Sequence, residues 1–267
     1  MIVVKIGGSI VDELHPTTIA DIKKNSKITK LVVVHGGGKE VTIIANKLGK
    51  TQGFVVSPGG VRSRYTDKET AEIYTMVMAG KLNKIIVRLL LQHGIKAAGI
   101  SGIDGGILKA DRKKKLVIMN EKGRKMVIDG GYTGKINSVD PSLIALLLEK
   151  EYLPVLSPVA LSEEYDFLNV DGDRAAAYVA GAMKANKVVF MTNVDGLRLN
   201  DNLVTHITVE QAKAALPRIG FGMEKKVLAA IEALQMGVNE AVIASGQSQK
   251  PLSKAIAHNN CTVITQK

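Results

Sequence analysis

Leu31-Val32-Val33-Val34-His35-Gly36-Gly37-Gly38-Lys39 is the stretch whose reading decides the fold. Leu31–Val34 is continuously apolar and mostly β-branched, the pattern of a strand covered on both faces in a parallel sheet. A helical pattern follows over Glu40–Leu48. Three glycines between a strand and a helix are hard to justify by folding, since each loses backbone entropy when ordered. Bare amides at a helix N-terminus are a ready anion site, so the run points to ligand binding rather than a plain tight turn.

The same grammar recurs along the chain. Ile2–Ile6 reads as a strand and runs into Lys5-Ile6-Gly7-Gly8-Ser9. That motif fits either a β-turn with a surface lysine or a cradle in which glycine amides and an ammonium group meet a phosphate. It lacks the Walker A spacing. Further strand-like runs lie at Lys96–Ile100, Leu153–Leu156, Lys187–Thr192, Glu240–Ala244 and Thr262–Ile264. Helical patterns span Lys68–His93, Pro141–Lys150, Asp173–Met183, Thr208–Leu216 and Met223–Met236. The alternation predicts a three-layer α/β/α sandwich with a mainly parallel central sheet. Gly105–Gly131 breaks the rhythm: Ile107–Ala110, Leu116–Met119 and Lys125–Ile128 predict a β-hairpin excursion.

Composition bounds the function. A chain of 267 residues, 46% hydrophobic and 23% charged, suits one large α/β domain or two closely joined lobes. With no Trp and 4% aromatics, the core must be built from Ile, Val, Leu, Ala and Met. The single Cys261 rules out an internal disulfide and a cysteine zinc site. No signal pattern and no membrane-length apolar run is visible, which predicts a cytoplasmic protein. The net charge of +11 fits a polyanionic partner or simply a lysine-rich surface.

Four more segments carry possible chemistry. Arg62 and Arg64, in Gly59-Gly60-Val61-Arg62-Ser63-Arg64-Tyr65-Thr66-Asp67, could fork around a carboxylate or form a solvated basic loop. Asp173, in Asn169-Val170-Asp171-Gly172-Asp173, could cap a helix or orient a lysine. Thr192-Asn193-Val194-Asp195-Gly196-Leu197 ends a strand. Gly220-Phe221-Gly222-Met223-Glu224-Lys225-Lys226 again puts glycines and lysines at a helix start.

In this order the motifs KIGGS (5–9), HGGGK (35–39), GGVRSRYTD (59–67), MAGKLNK (78–84), NVDGD (169–173), TNVDGL (192–197) and GMEKK (222–226) resemble the amino acid kinase superfamily, most closely the acetylglutamate kinases. The resemblance spans nearly the whole chain. It implies one amino acid kinase domain over 1–267, with an N-lobe (1–170) for the acyl substrate and a C-lobe (171–267) for ATP. It implies that Lys5 and Lys226 neutralise the transferring phosphoryl group and that Asp173 holds both lysines. Gly7, Gly8, Gly36 and Gly37 would donate backbone hydrogen bonds to phosphate oxygens, with Ser9 beside them. Arg62 and Asn169 would bind the substrate carboxylate, with His35 and Arg64 on the same side. Thr192, Asp195, Gly220, Gly222 and Met223 would line the nucleotide site. ATP and Mg²⁺ are the implied cofactors, the metal held mainly by ATP phosphates, with no protein metal site.

Acetylglutamate kinases usually show G-L-R-V-T-D, whereas this chain has two extra residues and a second arginine between Gly60 and Asp67. That departure resembles the carrier-dependent LysZ-type branch, which acts on aminoadipate or glutamate attached to the small acidic carrier LysW. Lys109–Lys125 holds eight Lys/Arg against Asp111 and Glu121, a run that could steer such a carrier or merely be solvated. The implied reaction is direct attack of a side-chain carboxylate on the γ-phosphorus of ATP. A carboxylate is ionised at pH 7 and needs no general base. The resemblance also implies a homodimer through the helix around Lys68–Arg88, without feedback inhibition by arginine. Free N-acetylglutamate kinase is the rival reading. A nucleic-acid binder is disfavoured because no aromatic-rich stacking segment is present, and no membrane partner is implied.

Overall fold

The computed structural model describes residues 1–8, 15–60, 62–220 and 222–267; Ser9 lies outside them. Its centre is an eight-stranded sheet. From edge to edge the strands are His206–Thr208, Cys261–Thr265, Glu240–Ser245, Lys187–Thr192, Ile2–Ile6, Leu31–His35, Leu153–Ser157 and Ala97–Ser101. All neighbours run parallel except Cys261–Thr265 against Glu240–Ser245. The parallel runs are apolar on both sides because both faces are covered. Along Ile2–Ile6, Val3 enters one core and Ile2, Val4 and Ile6 enter the other. These two cores are the two seams of a three-layer α/β sandwich.

In a parallel sheet every strand ends at the same rim. Lys5 pairs with Val34 on one side and Phe190 on the other, so the central strand delivers it between two neighbours at the carboxyl edge. Ligands of open parallel sheets gather there.

A second, four-stranded sheet orders Phe167–Asn169, Val159–Leu161, Leu108–Arg112 and Gly134–Val139. The sequence pattern placed Ile107–Ala110 in the hairpin excursion; instead it joins this sheet, because Leu108 and Ala110 are buried opposite Val139 and Ile136. Only Lys115–Met119 and Lys125–Asp129 form the two-stranded hairpin. A further small pair, Phe54–Val56 with Arg62–Arg64, stands nearby.

The expected helix Lys68–His93 is interrupted. It comprises Lys68–Thr75, a π-helical segment Met76–Leu82, and Asn83–Gln92. Two helices escaped the sequence pattern, Pro16–Ser26 and Pro251–Ile256. They are tied together by Asp21, whose carboxylate accepts from Ser253 N–H at 2.9 Å and from Asn25 Nδ2 at 3.1 Å. No helix among the described residues is long and apolar enough to cross a membrane.

Candidate active site

Three charged side chains from distant segments meet at the carboxyl edge. Asp173 sits in the first turn of the helix Gly172–Ala182, whose cap Asp171 accepts from the Asp173 and Arg174 N–H groups at 2.9 and 3.1 Å. Lys226 sits in the first turn of Met223–Gln235. Lys5 Nζ lies 2.7 Å from Asp173 Oδ1 as an ion pair, and Lys226 Nζ donates to Oδ2 at 3.2 Å. Burial pushes the Asp173 carboxyl up, but the two ammonium groups outweigh it and hold its pKa below the ordinary carboxylate value. One carboxylate thus balances one of two positive charges and leaves a net positive field.

The glycine loops close over this triad. A side chain on Gly8 would put Cβ 2.8 Å from the Gly37 nitrogen, and one on Gly37 would drive it to 2.0 Å from Leu82 Cδ1. Only glycine permits that approach. The implied roles of the four glycines need one correction. Gly7 N–H donates to Met191 O at 3.1 Å and Gly36 N–H to Ile6 O at 2.9 Å. These two amides extend the sheet ladder and are not available to a ligand. Gly8 and Gly37 remain, both on the wall of the cleft.

That cleft has a volume of about 810 Å³. Lys5, Gly36, Arg62, Arg64, Asn169 and Asp173 also line it. The two arginines differ in use. Arg64 is engaged: its Nη2 donates to Gly38 O at 2.6 Å and Thr42 Oγ1 at 2.8 Å, and its Nη1 donates to Gln52 Oε1. Arg62 is exposed and stacks its guanidinium 4.3 Å over the Phe54 ring. The Asn169 amide donates to Thr66 Oγ1 at 3.0 Å.

His35 does not line the cleft, in contrast to the substrate-side role implied for it. It is fully buried behind the glycine loop, and burial lowers its pKa to about 4. Lys226 and the residues expected at the nucleotide also stand off the cleft wall, Lys226 reaching it through Asp173. Thr192 and Asp195 are at and just past the end of Lys187–Thr192, beside the strand that carries Lys5. Gly220 and Met223 flank Gly222, which caps the Lys226 helix at φ +86°.

Sequence reasoning missed several cleft residues: Lys39, Lys135 and Arg174 on the basic side, and Tyr74, which donates to Pro158 O at 3.1 Å. Lys113, from the basic run at 109–125, lines the cleft as well. Burial, then Arg174 and Lys225, push the Lys113 pKa down, as expected where like charges are held together. Among the described residues, Asp171 and Asp173 are the carboxylates on the cleft wall, and no group of three His, Cys, Asp or Glu could hold a metal ion.

The family model described as the amino acid kinase family matches residues 1–245. The chain belongs to the amino acid kinase family. Among its relatives in that family, a protein of Nitrosopumilus maritimus (strain SCM1), provisionally named a LysW-aminoadipate/LysW-glutamate kinase, is 61% identical over 264 residues and 99% of both chains. The LysW-aminoadipate/LysW-glutamate kinase of Saccharolobus islandicus (strain L.S.2.15 / Lassen #1) is 42% identical over 265 residues, again 99% of both. Among solved structures, smu.665 from Streptococcus mutans UA159 shares the amino acid kinase fold at TM-score 0.80 and 24% identity, covering 100% of this chain and 98% of that one. Giardia carbamate kinase does so at TM-score 0.68 and 14% identity, covering 100% and 98%.

Proposed function

We propose that this protein transfers the γ-phosphoryl group of ATP to the side-chain carboxylate of L-2-aminoadipate, L-glutamate or both, carried on the acidic protein LysW. The reaction would serve lysine biosynthesis, and through the glutamate conjugate arginine biosynthesis, in the cytoplasm. The observation that carries the reading is the triad: two ammonium groups on one buried carboxylate, with Lys5 and Asp173 on the wall of a cleft that glycine backbone also lines. The curated relatives' names supply the acceptor class.

In the transfer, a carboxylate oxygen attacks the γ-phosphorus and the bond to the β,γ-bridging oxygen breaks. An acyl phosphate and ADP result, and no proton moves. The difficulty is anion meeting anion, so positioning and electrostatic preorganisation supply the catalysis. Lys5 and Lys226 would neutralise the migrating group, with Gly8 and Gly37 amides on its oxygens. Asp173 keeps both lysines aimed. Arg62 and Asn169 would hold the acceptor's second carboxylate. The residues around Thr192, Asp195 and 220–223 would seat the nucleotide, making 171–267 the ATP side and 1–170 the acyl side of one 1–267 domain. Both Asp173 oxygens face lysines and Asp171 caps a helix. Mg²⁺ would therefore ride on ATP phosphates, where it would offset their charge. The cationic rim of Lys113, Lys135, Arg174 and Lys225 suits an acidic carrier. The active form would be a homodimer.

The test is mass spectrometry of LysW–aminoadipate and LysW–glutamate conjugates after incubation with enzyme and MgATP, with hydroxylamine to trap the acyl phosphate. Free N-acetyl-L-glutamate runs in parallel. Trapped hydroxamate on a conjugate supports the reading; turnover of the free amino acid alone would replace it with N-acetylglutamate kinase.

A further inference from the structure

His35 has no route to the cleft, yet its ring is fully enclosed at the one place where the glycine loop turns. Its two nitrogens have different partners. Nδ1 lies 3.0 Å from Gly36 O, and a carbonyl can only accept, so Nδ1 carries the proton. Nε2 is then unprotonated and faces the Asn83 amide nitrogen at 3.4 Å, the longest of that nitrogen's three contacts. The amide's two N–H groups have Val155 O at 2.8 Å and Ile100 O at 3.2 Å as nearer acceptors, which pin it to two neighbouring strands. Asn83 directly follows the π-helical segment Met76–Leu82, whose Leu82 presses on Gly37. Such segments often mark functional sites.

The bond from Nδ1 acts on a peptide plane. In a trans peptide the C=O and the following N–H point in opposite directions. Drawing Gly36 O back to the buried ring therefore turns Gly37 N–H forward, to the side where Gly8 and the cleft lie. Gly37 N–H has no partner among the described residues. Between consecutive glycines this peptide has little steric preference of its own.

We propose that His35 is a positioning residue: as a neutral Nδ1–H donor it locks the Gly36–Gly37 peptide so that the Gly37 amide is held ready for the oxygens of the transferring phosphoryl group. The Gly36 carbonyl sets the tautomer, and Asn83, held between two strands against the Nε2 edge, sets the ring's rotation. The inference rests on the phosphotransfer reading above.

Two substitutions separate this from a packing role. In His35→Asn the side-chain amide reaches about where Nδ1 sits and can still donate to Gly36 O. In His35→Gln it reaches the Nε2 side and cannot. We expect His35→Asn to keep kcat within about fivefold of the unchanged enzyme. His35→Gln should lose about 10²-fold, the scale of one preorganised oxyanion donor, with the acceptor KM moving less than about threefold. A second readout is calorimetric binding of MgADP with fluoroaluminate, a mimic of the migrating PO₃ unit: it should weaken in His35→Gln and persist in His35→Asn. Melting temperatures of both variants accompany the comparison. Equal losses in the two variants, tracking their melting temperatures, or no loss in His35→Gln, would overturn the lock. If the unchanged enzyme forms no acyl phosphate, the reaction assignment has failed, and the fluoroaluminate comparison still judges the lock.

Discussion

The floor and the rim of the cleft carry charge in opposite ways. On the floor, Lys5 and Asp173 line the cleft and Lys226 joins them through Asp173; all three are largely withdrawn from solvent and locked together at 2.7 and 3.2 Å. On the rim, Arg62 is exposed and stacked on Phe54, and Lys113 is half-buried among other cations. Charges on the floor act at low effective dielectric and in fixed geometry, where they can stabilise a transition state. Charges on the rim are screened and adaptable, which suits capture and selection of an acidic partner. Substitutions on the floor should therefore change kcat, and substitutions on the rim should change KM and its salt dependence.

The largest effect should come from Asp173→Asn. It leaves two ammonium groups without their shared anchor, and turnover should fall about 10³-fold, beyond the loss of one oriented donor. Destabilisation of about 3–5 kcal/mol should accompany it, the scale of breaking a buried pair; denaturant titration reads this. Next, Arg62→Ala should raise the acceptor KM about tenfold or more, as for a lost charged hydrogen bond, and leave kcat nearly unchanged in steady-state assays. A kcat loss equal to that of a floor variant would erase the division. Lys113→Gln should raise the KM for a carrier conjugate a few-fold and flatten its dependence on ionic strength.

The smallest effect is on acid stability. The folded pKa of Asp173 lies below its ordinary value of 3.8. Its ionised form therefore contributes stability above about pH 4, and that contribution is lost as pH falls through the lower folded value. Melting curves taken between about pH 5 and 2 should fall less steeply for Asp173→Asn than for the unchanged chain.

Much of the floor was legible because its parts sit where strands stop and helices start. Leu31–Val34 could only be a covered strand, and the glycines after it marked the carboxyl edge. Ordered motifs at 5–9, 169–173 and 222–226 named the three residues that converge. What was not legible depends on direction. No pattern tells whether His35 looks into the cleft or away from it; tertiary packing against Asn83 decides. Nor can a glycine motif show which amides the sheet consumes, as Gly7 and Gly36 illustrate. Lys68–His93 reads as one helix because the π-helical Met76–Leu82 keeps helical composition. Pro16–Ser26 escaped because only Ile19 and Ile22 give it an apolar face. The second sheet was hidden because Leu108–Arg112 finds its partner at Gly134–Val139, beyond the whole hairpin.

The paired lysines are tested most directly by single-turnover kinetics on a LysW–aminoadipate conjugate, with enzyme in excess and saturating MgATP. Lys5→Ala and Lys226→Ala should each slow acyl phosphate formation by about 10²–10³-fold, and the double variant by far less than the product of the two losses. Near-normal rates in both single variants would contradict the account.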